Sequence, residues 1–206
     1  MLNLKINKKE GLLLLSKLKL PTVELINYKE LTSTDERLKE GLSVRLSPKK
    51  NCSSCVYLSS IHNCKDYQKI VKFIEENKRD NDIIVHKSVK TDIVGSISKL
   101  SYRDSIILET YKDLIDRKNE VINNRMVIPI IGDRLFISKL RLLKDNKDDF
   151  KNFSKVVTLI KDIPFEEYDM EYVIEDGNVI FTDLTLPETR TNSLFKKYIT
   201  NDNYEI

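Results

Sequence analysis

Asp169-Met170-Glu171-Tyr172-Val173-Ile174, then Glu175, then Asp176-Gly177-Asn178, then Val179-Ile180-Phe181-Thr182-Asp183-Leu184: this stretch decides the fold. Two strand-like runs flank an Asp-Gly-Asn turn signal, which reads as an antiparallel hairpin. Asp169 and Glu171 stand two apart on the first strand and therefore point to one face. A three-residue loop over 176–178 would set Asp183, on the return strand, directly opposite Glu171. Adjacent carboxylates on one sheet face repel, and a divalent cation between them relieves that repulsion. Mg²⁺ takes one or two carboxylates, with phosphates and water completing its shell, so an acidic pair suffices. By pattern alone the commoner origin of such a pair is a solvent-exposed acidic strand face. Both readings stay open at this point.

Working back from the hairpin, 150–163 is an amphipathic helix. Before it come five β-rich stretches, 82–89, 95–100, 105–111, 125–131 and 134–143. Residues 65–77 form an earlier amphipathic helix, with Tyr67, Ile70, Val71 and Ile74 on one stripe. The N-terminal part reads as a buried helix over 8–19 ended by Pro21, a strand over 22–28, and a helix over 35–42 capped by Ser33 or Thr34. A short strand over 43–47 is stopped by Pro48, and a polar loop leads to a strand over 56–61. After Arg190 there is a short helix candidate and a polar tail. Helices early and mostly antiparallel sheet later give an α+β fold rather than a βαβ repeat. No GxGxxG or GxxxxGK[ST] is present, which excludes Rossmann and P-loop readings.

Composition narrows the function classes. A chain of 206 residues supports one well-buried core, or two small lobes sharing a cleft. Thirty-five Lys and Arg stand against 32 Asp and Glu, a formal net charge of +3, and the basic residues are spread out. A dedicated nucleic-acid binder shows a clustered excess, so this balance argues against one. No apolar run reaches the roughly 20 residues of a membrane span, and the run 11–15 lacks a cleavage site, so the expected compartment is the cytosol. Cys52, Cys55, His62 and Cys64 offer four potential zinc ligands as C-x2-C-x6-H-x-C. The spacing matches no common finger, and reduced, unliganded thiols are the expectation.

The order of segments resembles the ATP-grasp nucleotide-binding domain of the phosphoenolpyruvate synthase and pyruvate phosphate dikinase family. Lys8 followed by Leu12, Leu15 and Leu20-Pro21 is similar to that family's opening GGK…L..L….LPVP, without the two glycines. The stretch 41–47, GLSVRLS, resembles its VRSS strand, and Ile84-Val85-His86-Lys87-Ser88-Val89 with Gly95-Ser96-Ile97 resembles its VVQ-x-MV…GV element. Ile107-Leu108-Glu109 resembles the next strand, and the closing hairpin resembles DIEW…LQ-x-R. The colinearity runs from residue 8 to about 185.

The resemblance implies a two-lobed fold with a nucleotide cleft between an N-terminal lobe, 1–82, and a C-terminal lobe, 83–190, followed by a tail, 191–206. It implies ATP and Mg²⁺ as cofactors. Lys8 and Arg45 would hold the triphosphate as the catalytic cations. His86, Lys87, Ser88 and Val89 would form the hinge beside adenine, and Glu109 would meet the ribose. Glu171 and Asp183 would share the metal. Three departures bear on the reaction. Asp183 replaces the family Gln, Thr185 stands where an Arg is implied, and no segment resembles the phosphohistidine-bearing domain. The expected function is therefore ATP- and Mg²⁺-dependent phosphoryl transfer by a stand-alone ATP-grasp domain, to a small-molecule or protein acceptor that the sequence does not identify. A non-catalytic nucleotide-binding regulatory or scaffold module is the alternative, and a nucleic-acid-associated protein is a third reading.

Overall fold

The computed structural model describes residues 6–49, 60–99, 105–111, 122, 124–131, 134–135, 147–165 and 167–186. They build an α+β structure around two sheets, mostly antiparallel as the hairpin signal implies. Element order is α1 (Lys8–Lys17), β1 (Leu25–Ile26), α2 (Arg37–Glu40), β2 (Leu42–Pro48), β3 (Ile61–Cys64), α3 (Tyr67–Asn77), β4 (Asn81–Lys87), β5 (Ile93–Lys99), β6 (Ser105–Tyr111), β7 (Asn124–Ile131), β8 (Arg134–Leu135), α4 (Lys147–Ile160), β9 (Tyr168–Glu175) and β10 (Asn178–Thr185). The first sheet has the order β1-β4-β2-β3 and the second β10-β9-β5-β6-β7-β8.

Each sheet has its own helical cover. Phe153, Val156, Val157 and Ile160 recur at helical spacing along α4 and are fully buried against one face of the second sheet. Burying each such side chain contributes about 1.5–3 kcal/mol. Leu12, Leu14 and Leu15 of α1 join the same core, beside Met170, Tyr172 and Phe181. The first sheet buries Val44, Leu46, Ile83 and Val85 against Ile70 and Ile74 of α3.

Helix α1 bridges the sheets. Asn7 caps it reciprocally with Glu10, and the Asn7 side chain donates to Asp82 of β4 at 2.9 Å. Further along the helix, Gly11 rides on the β10 backbone. A Cβ there would stand 2.3 Å from the Leu184 carbonyl oxygen, so only glycine allows this approach.

Several elements are shorter than the sequence suggested, for local reasons. Of 22–28 only Leu25–Ile26 is strand, because the Asn27 side chain accepts from the Lys29 amide and winds 28–30 into a 3₁₀ turn. The helix expected over 35–42 is the single turn Arg37–Glu40. Its start is organised by Asp35, which accepts the Arg37 amide, rather than by Ser33 or Thr34. Strand β3 begins at Ile61, and 51–59 lie outside the described residues, as do Cys52, Cys55 and 136–143. Cys64 is a buried free thiol, and His62 Nε2 lies 2.7 Å from Ser60 Oγ. Among the described residues no helix is long and apolar enough to cross a membrane.

Candidate functional site

The closing hairpin places its acids by a route the sequence does not display. Asp176 and Gly177 have φ of 49° and 74°, so they form a two-residue turn, and Glu175 pairs with Asn178. Continued unbroken, that register would bring Thr182 opposite Glu171 and turn Asp183 toward the core. A bulge between Phe181 and Asp183 shifts the pairing by one, and Asp183 faces Glu171 across the ladder. The expected juxtaposition therefore stands, through a bulge instead of a longer loop.

Register carries the pair into a row that crosses five strands. Asp183 pairs with Glu171, Glu171 with Ser96, Ser96 with Glu109, and Glu109 with Arg125. Registered partners project to one side, and here it is the side away from α4. At about 4.8 Å per strand the row is roughly 19 Å long. Two residues along on the same face, an apolar row runs Ile180, Val173, Val94 and Tyr111. Val94, Tyr111 and Val173 form a small buried cluster of their own, with Val89 and Ile122 packed on it.

The β10 end of the polar row meets the first sheet. Lys8 Nζ lies 3.2 Å and an Arg45 terminal nitrogen 3.7 Å from the same carboxylate oxygen, Asp183 Oδ2. Arg45 also donates at 2.7 Å to the carbonyl of Thr182, the residue that the bulge sets out of the ladder. Strand β2 aims Arg45 there because Val44 and Leu46 face α3. Lys8 is held by its backbone amide, which donates to Ser47 Oγ at 3.0 Å. Asp183 is 5% exposed, and its Oδ1 is buried with no hydrogen-bond partner among the described residues. Burial pushes its carboxyl above the usual range. Lys8 opposes that shift, Glu171 reinforces it, and Arg45 opposes it.

Glu109, three strands from Asp183, is gripped by three donors. Tyr111 Oη and Arg125 Nε each lie 2.7 Å from its oxygens, and Ser96 Oγ lies 3.4 Å away. Burial works against its ionisation, but the hydrogen bonds from Tyr111, Arg125 and Ser96 and the Arg125 charge outweigh it. The carboxyl sits below its usual range.

The residues of the 86–89 segment diverge. His86 lies on the inner face of the first sheet, between Leu25 and Ser43, on the side that carries Arg45. Burial, opposed by the contact to the Lys87 carbonyl and helped by Arg45, brings its pKa down to about 4. Nδ1 is 2.7 Å from that carbonyl and must donate to it, which leaves Nε2 a bare acceptor with no partner among the described residues. Lys87 is exposed and ion-paired with Glu40. Ser88 bonds Ser43 and the Asn63 amide. Val89 reaches the apolar row. Lys8, Arg45, Glu171 and Asp183 thus come together, Glu109 and Val89 flank them on the same face, and Lys87 lies apart.

Ser96, Arg125, Tyr111 and Thr182 escaped sequence reasoning. The period-two pattern of 105–111 held a trace, since Ile107, Glu109 and Tyr111 alternate with the buried Ile106 and Leu108. A groove of about 750 Å³ between α4 and the hairpin tip, lined by Pro21, Lys155, Leu159 and Val179, lies on the other side of the sheet.

No protein-family model matches this chain, and no curated protein matches it in sequence. Solved structures do match. An acetyl-coenzyme A synthetase from Ca. Korarchaeum cryptofilum, solved with coenzyme A and Ca-AMPCP, aligns at a TM-score of 0.50 and 9% identity, over 89% of this chain and 93% of that one. D-alanine–D-alanine ligase from Bacillus anthracis, complexed with ATP, aligns at 0.45 and 14%, over 89% and 57%. The ATP-grasp ligase PsnB aligns at 0.40 and 12%, over 93% and 54%. The two ligases fall below a TM-score of 0.5 and add no weight, and the chain spans about half the length of such ligase chains. At these identities the likeness is one of fold alone: an α+β arrangement of two mainly antiparallel sheets with helical cover.

Proposed function

We propose that the protein binds ATP with Mg²⁺ between its two sheets and transfers a phosphoryl group to an acceptor outside the chain. One observation carries the reading: a registered row holding three acids, on the sheet face away from α4, ends at two cations, Lys8 from α1 and Arg45 from the other sheet. That arrangement supplies opposite charges for a metal and for phosphates within one cleft. The base would lie on the apolar row of Val94, Tyr111 and Val173, near Val89, with Glu109 placed for the ribose. The resemblance to the phosphoenolpyruvate synthase family supports the same placement, and the synthetase with the similar fold was solved with Ca-AMPCP.

The donor set fits a divalent cation. Asp183 Oδ1 is a buried acceptor without a partner among the described residues, beside a second carboxylate in direct register. Glu171 and Asp183 would hold Mg²⁺, which would neutralise phosphate charge. Arg45, fixed by Thr182, would offer its fork to the phosphates, and Lys8 a movable point charge. A nucleotide-sensing module without turnover is the second reading, favoured by Thr185 at the position where the resemblance implies an arginine.

Calorimetric titration with a non-hydrolysable ATP analogue tests the proposal. Affinity should be higher with Mg²⁺ than without it, and replacing Glu171 and Asp183 together by Ala should remove the difference. Unchanged metal dependence in the double variant contradicts the assignment.

A further inference from the structure

Among the described residues, Asp183 is the carboxylate that Lys8 and Arg45 share, although the proposed function needs it for metal and needs them for phosphate. Lys8 and Arg45 converge on its Oδ2 at 3.2 and 3.7 Å, while Oδ1 keeps no partner among the described residues. A cation approaching this carboxylate meets two positive charges already seated on it. Arg45 is fixed, because it donates to the Thr182 carbonyl and its side chain is only 16% exposed. Lys8 differs: its side chain is 45% exposed and its ammonium ends a flexible stem, so it can leave Asp183 when another anion is offered.

We propose that Lys8 is an exchangeable counter-ion of Asp183, seated beside the fixed Arg45, so that the site accepts a divalent metal only together with a polyphosphate and rejects the free metal. This rests on the nucleotide reading above. A phosphate chain gives Lys8 a replacement anion and shares the charge of Arg45, and only then is Asp183 released to the metal that the chain brings. Metal and nucleotide therefore enter as one ligand, and the acidic hairpin is not left holding adventitious Mg²⁺ or Ca²⁺.

The test is Mn²⁺ binding to the nucleotide-free protein, read as loss of the free-ion signal in electron paramagnetic resonance. Wild-type protein should bind Mn²⁺ only in the millimolar range. Lys8→Met should tighten binding about tenfold, the scale of removing one close charge from a metal's neighbourhood. Arg45→Met should act in the same direction, and it serves as the second variant if either substitution fails to fold by circular dichroism. Adding Asp183→Asn to either should abolish the gain. Micromolar Mn²⁺ binding by the wild type, or equal affinity in wild type and both cation variants, overturns the inference while leaving Mg²⁺-dependent ATP binding untouched. Failure of ATP to bind, with Lys8→Met still tightening Mn²⁺, overturns the nucleotide reading and leaves the counter-ion role standing.

Discussion

Replacing Gly11 by Ala sets two effects against each other, and the structure says which prevails. Gly→Ala inside a helix gains about 1 kcal/mol in propensity. The new Cβ, however, would lie 2.3 Å from Leu184 O and 3.3 Å from its carbonyl carbon. Leu184 is in the β10 ladder, paired with Met170, so its carbonyl cannot give way as a side chain would. Restoring an ordinary contact requires α1 to retreat by about 1 Å, lifting Leu12 and Leu15 from the core. A clash with an immobile backbone oxygen falls in the upper part of the overpacking range, about 2–3 kcal/mol, which offsets the propensity gain and leaves a net loss of about 1–2 kcal/mol. For a domain of this size that lowers the Tm by about 2–8 °C. Lys8 lies one turn before Gly11, so the same retreat lengthens its 3.2 Å contact to Asp183 and weakens nucleotide binding as well. Ser16→Ala, on the exposed side of α1, is the control; it gains propensity without a clash and should raise the Tm slightly. Thermal unfolding of the two variants decides the matter. A Gly11→Ala protein as stable as wild type would show that α1 does not press on β10.

Three further predictions follow from the site. His86 has its pKa lowered from 6.5 to about 4, so the unfolded chain takes up its proton first on acidification; the stability present above pH 6.5 is lost toward pH 4, by about 3 kcal/mol at most. His86→Gln should flatten the urea-unfolding profile across that window, and an unchanged slope would contradict the buried neutral imidazole. Arg125→Ala removes the strongest cation on Glu109, so the Glu109 carboxyl should titrate at higher pH by ¹³C NMR, and an unmoved resonance would contradict the pairing. The isolated protein should hydrolyse ATP slowly, since a closed site excludes water, and Arg45→Ala should remove most of any acceptor-dependent rate in a supplemented assay; rapid hydrolysis without an acceptor would refute this.

Asp-Gly-Asn announced a turn, and the two-residue spacing of Asp169 and Glu171 announced a shared face. Both follow from short-range rules that a sequence carries. The bulge at Thr182 does not, because it is fixed by where Pro21 and Thr22 dock: the Phe181 amide donates to Pro21 O, and Thr22 bridges Phe181 in parallel. The pairing of Glu109 with Arg125 and Ser96 was hidden for a related reason, since strand register arises from contacts distant in the chain. Asn27 and Asp35 outvoted strand and helix propensity with single side-chain hydrogen bonds, which is why the early boundaries moved. Lys8 and Arg45 are candidate site residues by resemblance, yet their meeting on one oxygen of Asp183 belongs to the packing of α1 and β2 against β10.

The most direct test of the account is amide hydrogen exchange with and without a Mg²⁺-bound non-hydrolysable ATP analogue. Protection should rise along the row of Ser96, Glu109, Glu171 and Asp183, at the start of α1 and around Val89. It should stay unchanged in α3 and in the groove between α4 and the hairpin tip. Protection confined to that groove, or no change along the row, would contradict a nucleotide site between the sheets.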